Sequence, residues 1–167
     1  RLNQLEPTFQ SFGKVLSRLL HPQPIPEIDQ LIDSLPVMLA QHGHAYSARV
    51  AREMAEIGYC AAKKTYFHGV RLHVIARRRV CQLPLPSRIW LCEGSIYDSK
   101  AFKEQAPELS NTTLFGDLAY PDQETIEMLK EQQTRLIAPR KKPKAAELTN
   151  DVKYYNRLVS KFRQLIG

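Results

Sequence analysis

Two aspartates are flanked on both sides by apolar residues, which is an unusual setting for a carboxylate. Asp33 lies in the apolar segment 31–35, and Asp117 lies in the apolar segment 114–120. Burying a carboxylate in such surroundings is costly unless it is paired or bound to a cation. Ligand sites of mixed α/β sheets form where strands end, and two carboxylates meeting there would make a hard-oxygen site suited to Mg²⁺. The alternative is that each aspartate caps a turn.

Other residues point to less specific chemistry. His42 and His44 place two imidazoles on one face of an extended segment, but a zinc site needs further ligands that the sequence does not identify. Asp98 is interpreted as a helix N-cap, and the alternative is an outer role near a metal site. The cysteines lack Cys-x-x-Cys spacing and are interpreted as small buried hydrophobic residues: Cys60, Cys81 and Cys92.

A mixed sheet is predicted to position these side chains. Apolar patterning predicts strands at 28–39, 66–75, 87–91, 112–115 and 135–138. Helices are predicted at 98–105, at 122–132 and from Asn150 onward. The segment 45–59 fits a short helix or a loop equally well. Strands that precede a strand–helix alternation indicate an α/β fold with helices packed on a mixed sheet.

The chain divides best at a proline-rich segment. Residues 1–20 have helical apolar spacing interrupted by Pro7, and three prolines in residues 22–26 forbid a helix. Residues 1–26 are therefore predicted to be the end of an upstream helical segment plus a linker, and residues 27–167 to be the core domain. Because the sequence opens with Arg1 and stops at Gly167, we expect it to be a fragment of a longer protein.

Composition indicates one globular domain. The chain has 167 residues, 43% of them hydrophobic and 25% charged, which is close to an average soluble protein. It holds no apolar run of about 18 residues and no signal peptide, so we expect neither a membrane span nor secretion. Three cysteines are too few for a disulfide framework. We expect a cytoplasmic protein.

The charge distribution favours a polyanionic partner. The formal net charge is +7, with 24 Lys and Arg against 17 Asp and Glu. No acidic residue lies between Ile57 and Cys92, and a second basic run contains Arg140, Lys141, Lys142 and Lys144. Clustered cations bind nucleic acid by releasing counterions, although a solvated charged face is the simpler interpretation of each run. For residues 77–79 we expect solvated loop charges.

Four segments, in the same order along the chain, resemble motifs of one family. Residues 32–36 resemble the first catalytic motif of bacterial insertion-sequence transposases of the DDE class, and residues 67–74 resemble the following strand, with Arg71 at the usual lysine position. Residues 93–102 resemble a segment that usually carries His-Asp and here carries Tyr97-Asp98. Residues 115–120 resemble the second catalytic motif.

The resemblance implies an RNase H-like mixed β-sheet flanked by helices, with two Mg²⁺ ions, for which Mn²⁺ substitutes. It makes Asp33 and Asp117 catalytic residues and metal ligands. A late helix usually supplies a third carboxylate in Arg-x-x-x-Glu, whereas here Arg163 is followed by Gly167 in that slot. We therefore expect this chain by itself to be a poor catalyst. Its complete form is expected to cleave and transfer DNA strands at the ends of an insertion sequence.

DNA is the expected partner, in a homo-multimer associated with the nucleoid. The residues expected to contact its backbone are Arg140, Lys141, Lys142, Lys161 and Arg163. Two other functions stay open. One is an RNase H-like nuclease or resolvase without strand transfer, and the other is a non-catalytic, basic DNA-binding remnant of a decayed element.

Overall fold

The computed structural model describes residues 29–79, 82–105, 107–142 and 147–163, together with five residues between 8 and 19. The side chains of Gln41 and His42 lie outside this description. The five early residues have helical conformation: Thr8, Ser11, Phe12, Val15 and Leu19. The proline-rich linker falls outside the described ranges, so the division at residue 26 stays a prediction. Within these ranges, no helix combines the length and apolar character that crossing a membrane requires.

The described residues form six strands and three helices. The strands are β1 (Asp29–Gln41), β2 (Glu56–Cys60), β3 (Thr65–Arg77), β4 (Leu85–Glu93), β5 (Thr113–Phe115) and β6 (Arg135–Ile137). The helices are α1 (Asp98–Gln105), α2 (Gln123–Glu131) and α3 (Asn150–Arg163), and a 3-10 turn at His42–His44 follows β1. All predicted elements of the core are present. The undecided segment 45–59 contains a turn and then β2.

The strands form one mixed sheet around β1. One edge of β1 pairs antiparallel with β3, and its other edge pairs parallel with β5, which in turn pairs parallel with β6. The far edge of β3 is shared by two antiparallel strands, with β2 along its first part and β4 along the remainder. Because β1, β5 and β6 are parallel, their carboxyl ends point towards the same edge of the sheet.

A close approach of two backbones makes glycine necessary in β3. A Cβ atom at Gly69 would lie 2.1 Å from the carbonyl oxygen of Val37 on β1. The register of β1 shifts between Met38 and Ala40, opposite this position. The ladder between β1 and β3 is regular at Pro36, which pairs with Arg71. β5 pairs with β1 only as far as Leu31. The proline of β1 lies beyond this pairing, so its missing N–H costs no hydrogen bond with β5.

The hydrophobic core lies between one face of the sheet and the first two helices. Buried residues of four strands and of both helices make one cluster, which includes Ile32, Ile75, Trp90, Leu114, Phe102 and Leu129. The other face carries α3, whose Phe162 stacks on Phe115 with ring centroids 5.3 Å apart. A six-stranded mixed sheet flanked by three helices confirms the predicted α/β, RNase H-like fold.

Arg78 corrects one expectation from the sequence. Instead of being a solvated loop charge, its guanidinium contacts the carboxylate of Asp29 at 3.1 Å and lies 4.4 Å from the ring centroid of Phe162. The reason is that α3 packs over the end of β3, which covers this arginine. Arg78 therefore links the first strand, the third strand and the last helix.

Candidate active site

The sheet register brings the two flanked aspartates to neighbouring positions. In the parallel ladder of β1 and β5, Leu31 pairs with Phe115. Asp33 lies two residues after Leu31, and Asp117 lies two residues after Phe115. The two aspartates therefore occupy equivalent positions beyond this pair. Adjacent strands lie about 4.8 Å apart. The N–H of Gly116 donates to the carbonyl of Ile137 at 2.9 Å, which holds the residue before Asp117 against β6.

One guanidinium contacts both carboxylates. Arg163, the last residue of α3, places Nη1 3.1 Å from Oδ1 of Asp117 and Nη2 3.9 Å from Oδ1 of Asp33. Each aspartate also accepts a hydrogen bond from the backbone N–H of the next residue, at 2.9 Å from Ser34 and 2.6 Å from Leu118. The structure thus brings together three of the residues that the sequence nominated, and a cation bridges the two acids.

Electrostatics at Asp33 favour a positively charged partner. Burial raises the pKa of its carboxyl, and the nearby charges of Asp117 and Asp98 raise the pKa further. The hydrogen bond from Ser34 and the charge of Arg163 act in the opposite direction, but they do not outweigh burial. An ionised Asp33 is therefore costly in the protein alone and would be stabilised by any additional cation.

Asp98 belongs to a polar network beside this pair. It is the first residue of α1, and its carboxylate contacts Nη1 of Arg71 at 3.5 Å and Nε2 of His73 at 4.0 Å. It also accepts a hydrogen bond from the hydroxyl of Ser34, and burial raises its pKa. These contacts do not test the outer role near a metal site, which stays a prediction. Its contacts run to β1 and β3, and the first helical hydrogen bond is accepted by the carbonyl of Tyr97.

Buried rings complete the network on the core side of the sheet. His73 is fully buried, stacks on Trp90 at 5.1 Å between centroids, and lies 3.4 Å from the hydroxyl of Tyr120. Burial, and then the charge of Arg71, lower the pKa of His73 to about 4, so the imidazole is neutral at pH 7. Burial also raises the pKa of the Cys92 thiol to about 11, which makes the thiolate scarce. These contacts join β3 to β4 and to Tyr120.

The sequence reasoning missed His73 and Tyr120 as supports of the site. A signal was available, because alternation along β3 places Arg71 and His73 on the same face as Ile75. Two basic side chains on a core face require a buried acid or hydroxyl as a partner. Asp98 and Tyr120 lie at the ends of the next apolar segments and could have been proposed for that role.

The basic residues expected to bind DNA occupy different environments. Arg140 follows β6, its backbone exchanges two hydrogen bonds with the side chain of Asn156, and its guanidinium lies 4.9 Å from the ring centroid of Tyr155. The next two residues, Lys141 and Lys142, are exposed, as is Lys161 on α3. The guanidinium of Arg163 contacts both aspartates. Because β5 and β6 are parallel, the segment after β6 leaves the sheet at the edge that carries Asp117.

Asp33 and Asp117 offer hard oxygen ligands of the kind that divalent cations such as Mg²⁺ bind. Mg²⁺ binds through one or two carboxylates and retains water or phosphate oxygens, which matches the pair Asp33 and Asp117. Among the described residues, no three His, Cys, Asp or Glu side chains are grouped for metal binding. His44 is exposed, and the side chain of His42 lies outside the described part of the chain.

Comparison with known proteins identifies the family. A family model described as a transposase DDE domain matches residues 26–167, a span that includes Asp33, Asp98, Asp117 and Arg163. No curated protein and no solved structure matches the chain significantly. Proteins of this family act on DNA and typically use divalent metal ions. The chain therefore belongs to the family of transposase DDE domains.

Proposed function

We propose that this domain carries the catalytic centre of a DNA transposase, in which Asp33 and Asp117 hold divalent cations for phosphodiester cleavage and strand transfer. The observation that supports this most directly is the convergence of both carboxylates on one guanidinium, two residues beyond the last pair of a parallel ladder. Two carboxylates held this way form a cation site with open coordination positions for phosphate oxygens.

The bound ions would supply the chemistry of a two-metal site, which activates the attacking oxygen and stabilises the leaving oxygen. The protein supplies the positions of the ligands. Backbone N–H groups of Ser34 and Leu118 orient the two carboxylates. Ser34 also hydrogen-bonds Asp98 through its side chain, so Asp98 acts as a positioning residue for the segment that carries Asp33. The carboxylates are therefore fixed before a cation binds, which reduces the cost of binding it.

Arg163 has two proposed tasks. In the protein alone its single positive charge partly compensates Asp33 and Asp117, and it competes with divalent cations for the same oxygens. When a cation replaces it, the planar guanidinium is suited to bind a DNA phosphate through two hydrogen bonds. The exposed Lys141, Lys142 and Lys161 add contacts to the DNA backbone, and these contacts position the DNA without reading its sequence.

The expectation that this chain alone is a poor catalyst rests on Gly167. This residue lies outside the described ranges, so the expectation stays a prediction. A multimeric active complex is likewise a proposal. Cleavage is measured on the full product of the reading frame that encodes this chain.

The experiment incubates that product and Mg²⁺ with a plasmid that carries the reading frame together with its flanking DNA. We expect nicks that map to positions flanking the frame, and joined products at a second DNA site. We also expect DNA affinity to fall steeply with salt. The logarithm of the binding constant should fall by about 0.9 per logarithmic unit of salt concentration for each phosphate that is neutralised. The control is the same reaction with a chelator, which is expected to stop cleavage and leave DNA binding.

Each other outcome selects a different function. Cleavage that never produces joined ends favours the nuclease or resolvase alternative. Salt-dependent DNA binding without any divalent-dependent cleavage favours a non-catalytic binding remnant. Absence of DNA binding by the full product contradicts all three functions.

A further inference from the structure

Three exposed tyrosine rings cluster at the hairpin of β2 and β3. Tyr59 and Tyr66 face each other across the two strands with ring centroids 5.1 Å apart, and Tyr46 lies 6.5 Å from Tyr66. Their exposed fractions are 45%, 53% and 68% for Tyr59, Tyr66 and Tyr46, respectively. Large rings grouped at the surface, instead of buried, commonly mark a binding surface.

Hairpin stability explains only part of the cluster. A cross-strand aromatic pair stabilises a two-stranded ribbon by about 0.2–1 kcal/mol, which would account for Tyr59 and Tyr66. Tyr46 comes from the turn after the 3-10 helix and is not a cross-strand partner of either ring. It is the most exposed of the three, so a contribution to folding does not explain its position.

The cluster has basic neighbours. The turn that joins β2 to β3 carries Lys63 and Lys64, both exposed and next to the Tyr59–Tyr66 pair along the chain. The segment before β2 carries the exposed Arg49, Arg52 and Glu53, with a net charge of +1. Glu56 stands at the opposite end of β2 from the turn and accepts a hydrogen bond from Ser95. The tyrosine end of the hairpin is therefore positively charged.

The cluster lies on the same face of the sheet as Asp33. Side chains alternate along β3, so Tyr66 and Val74 share a face, and Val74 pairs with Asp33 in the β1–β3 ladder. Eight residues separate Tyr66 from Val74, which corresponds to about 27 Å along the strand. At 3.4 Å per nucleotide of one strand in a duplex, that distance is about eight nucleotides.

We propose that Tyr46, Tyr59 and Tyr66, together with Lys63 and Lys64, bind unpaired nucleotides of a DNA strand. The rings provide stacking surfaces for bases, and the lysines contact the phosphates. Aromatic side chains beside cations are the means by which proteins bind single strands without sequence preference, whereas the bases of an intact duplex are already stacked on each other. This inference rests on the proposed function, because it takes DNA as the substrate.

The experiment compares two probes, a fluorescent DNA strand of about 12 nucleotides and the same strand annealed to its complement. The double variant Tyr59→Thr with Tyr66→Thr keeps residues that favour strands and removes both rings. Its affinity for the single strand is expected to fall at least about tenfold, and its affinity for the duplex by less than about twofold. The matched variant Tyr59→Phe with Tyr66→Phe keeps the rings and is expected to bind as the unchanged protein does. Tyr97→Thr, at an exposed tyrosine outside the cluster, is expected to have no effect on single-strand affinity.

A second variant covers the case in which the threonine variant fails to fold. Lys63→Gln changes only an exposed turn residue, and we expect it to lower the salt slope of single-strand binding by about 0.7. Single-strand affinity that is unchanged in the threonine variant, or lost equally for both probes, overturns the inference and leaves the proposed function intact. If the unchanged protein binds neither probe, the proposed function itself is contradicted.

Discussion

Replacing either aspartate by asparagine is expected to abolish DNA cleavage that depends on divalent cations. Asp33→Asn and Asp117→Asn each keep an oxygen that accepts the neighbouring N–H but remove the negative charge. Cations at a phosphoryl-transfer site contribute several kcal/mol to the transition state, so losing a ligand carboxylate should lower the cleavage rate at least about 10³-fold. The measurement is plasmid cleavage in Mg²⁺ by the full product of the reading frame.

The matched control is Asp151→Asn, which makes the same chemical change at an exposed aspartate in the first turn of α3. Its cleavage rate is expected to stay within about twofold of the unchanged protein. DNA affinity should be retained by all three variants, because each removes a negative charge and no cation. A cleavage rate within about tenfold of normal for Asp33→Asn or Asp117→Asn would refute the assignment of that residue.

Arg163→Gln is expected to have opposite effects on metal binding and on cleavage. Its guanidinium contacts Asp117 at 3.1 Å and Asp33 at 3.9 Å. Two unit charges 4 Å apart interact by about 1 kcal/mol in water and about 4 kcal/mol near a protein surface. Removing the competing charge should therefore raise Mn²⁺ affinity on the order of tenfold, measured by calorimetric titration. Cleavage should fall, on the order of a hundredfold, because the phosphate contact of the guanidinium is lost.

Two further variants test whether Mn²⁺ affinity depends on a positive charge at position 163 in particular or on any positive charge nearby. Lys161→Gln removes a charge two residues earlier, from an exposed side chain, and should change Mn²⁺ affinity by less than about twofold because solvent and salt screen it. Arg163→Lys keeps the charge and should bind Mn²⁺ with nearly normal affinity. Unchanged or weaker Mn²⁺ binding by Arg163→Gln would show that this arginine does not compete for the carboxylate oxygens.

Local patterning was sufficient for every strand and helix of the core except β2, and for the pair Asp33 and Asp117. The helix predicted at 98–105 has those bounds, and the flanked aspartates predicted to converge do so at Arg163. β2 was not predicted because it is short and exposes alternate residues. Its pairing with β3, rather than an apolar face, specifies this strand. Glycine at position 58 also lowers strand propensity, but a Cβ atom there would lie 2.1 Å from the carbonyl oxygen of Gly94.

Long-range pairings were the part that sequence reasoning could not supply. Arg78, expected to be solvated, is covered because α3 returns over the end of β3, 84 residues later at Phe162. Arg163 was expected to contact DNA, and nothing local indicates that it bridges Asp33 and Asp117. Asp98 was interpreted as a helix N-cap or as an outer residue near a metal site, and nothing local indicates its contact with Arg71. In each case the partner is far along the chain.

Acidic pH should weaken cation binding at the site. The pKa of Asp33 is raised, so protons compete with the cation at pH values above the usual value of 3.8 for an aspartate. The pH dependence of folding stability is opposite to that of a salt-bridged aspartate, whose pKa is lowered in the folded state. The folded state binds the proton more tightly than the unfolded state, so stability falls as the pH rises from 3.8 through the raised pKa. Asp33→Asn should therefore be the more stable protein at pH 7, and the difference should vanish below pH 3.8.

A titration of the protein with Mn²⁺, followed by the electron paramagnetic resonance signal of the free ion, tests the cation site most directly. We expect saturable binding at pH 7 that is lost in Asp33→Asn and in Asp117→Asn and kept in Asp151→Asn. Mn²⁺ binding that is equally strong in both active-site variants, or no binding to the full product of the reading frame with DNA present, would contradict this expectation.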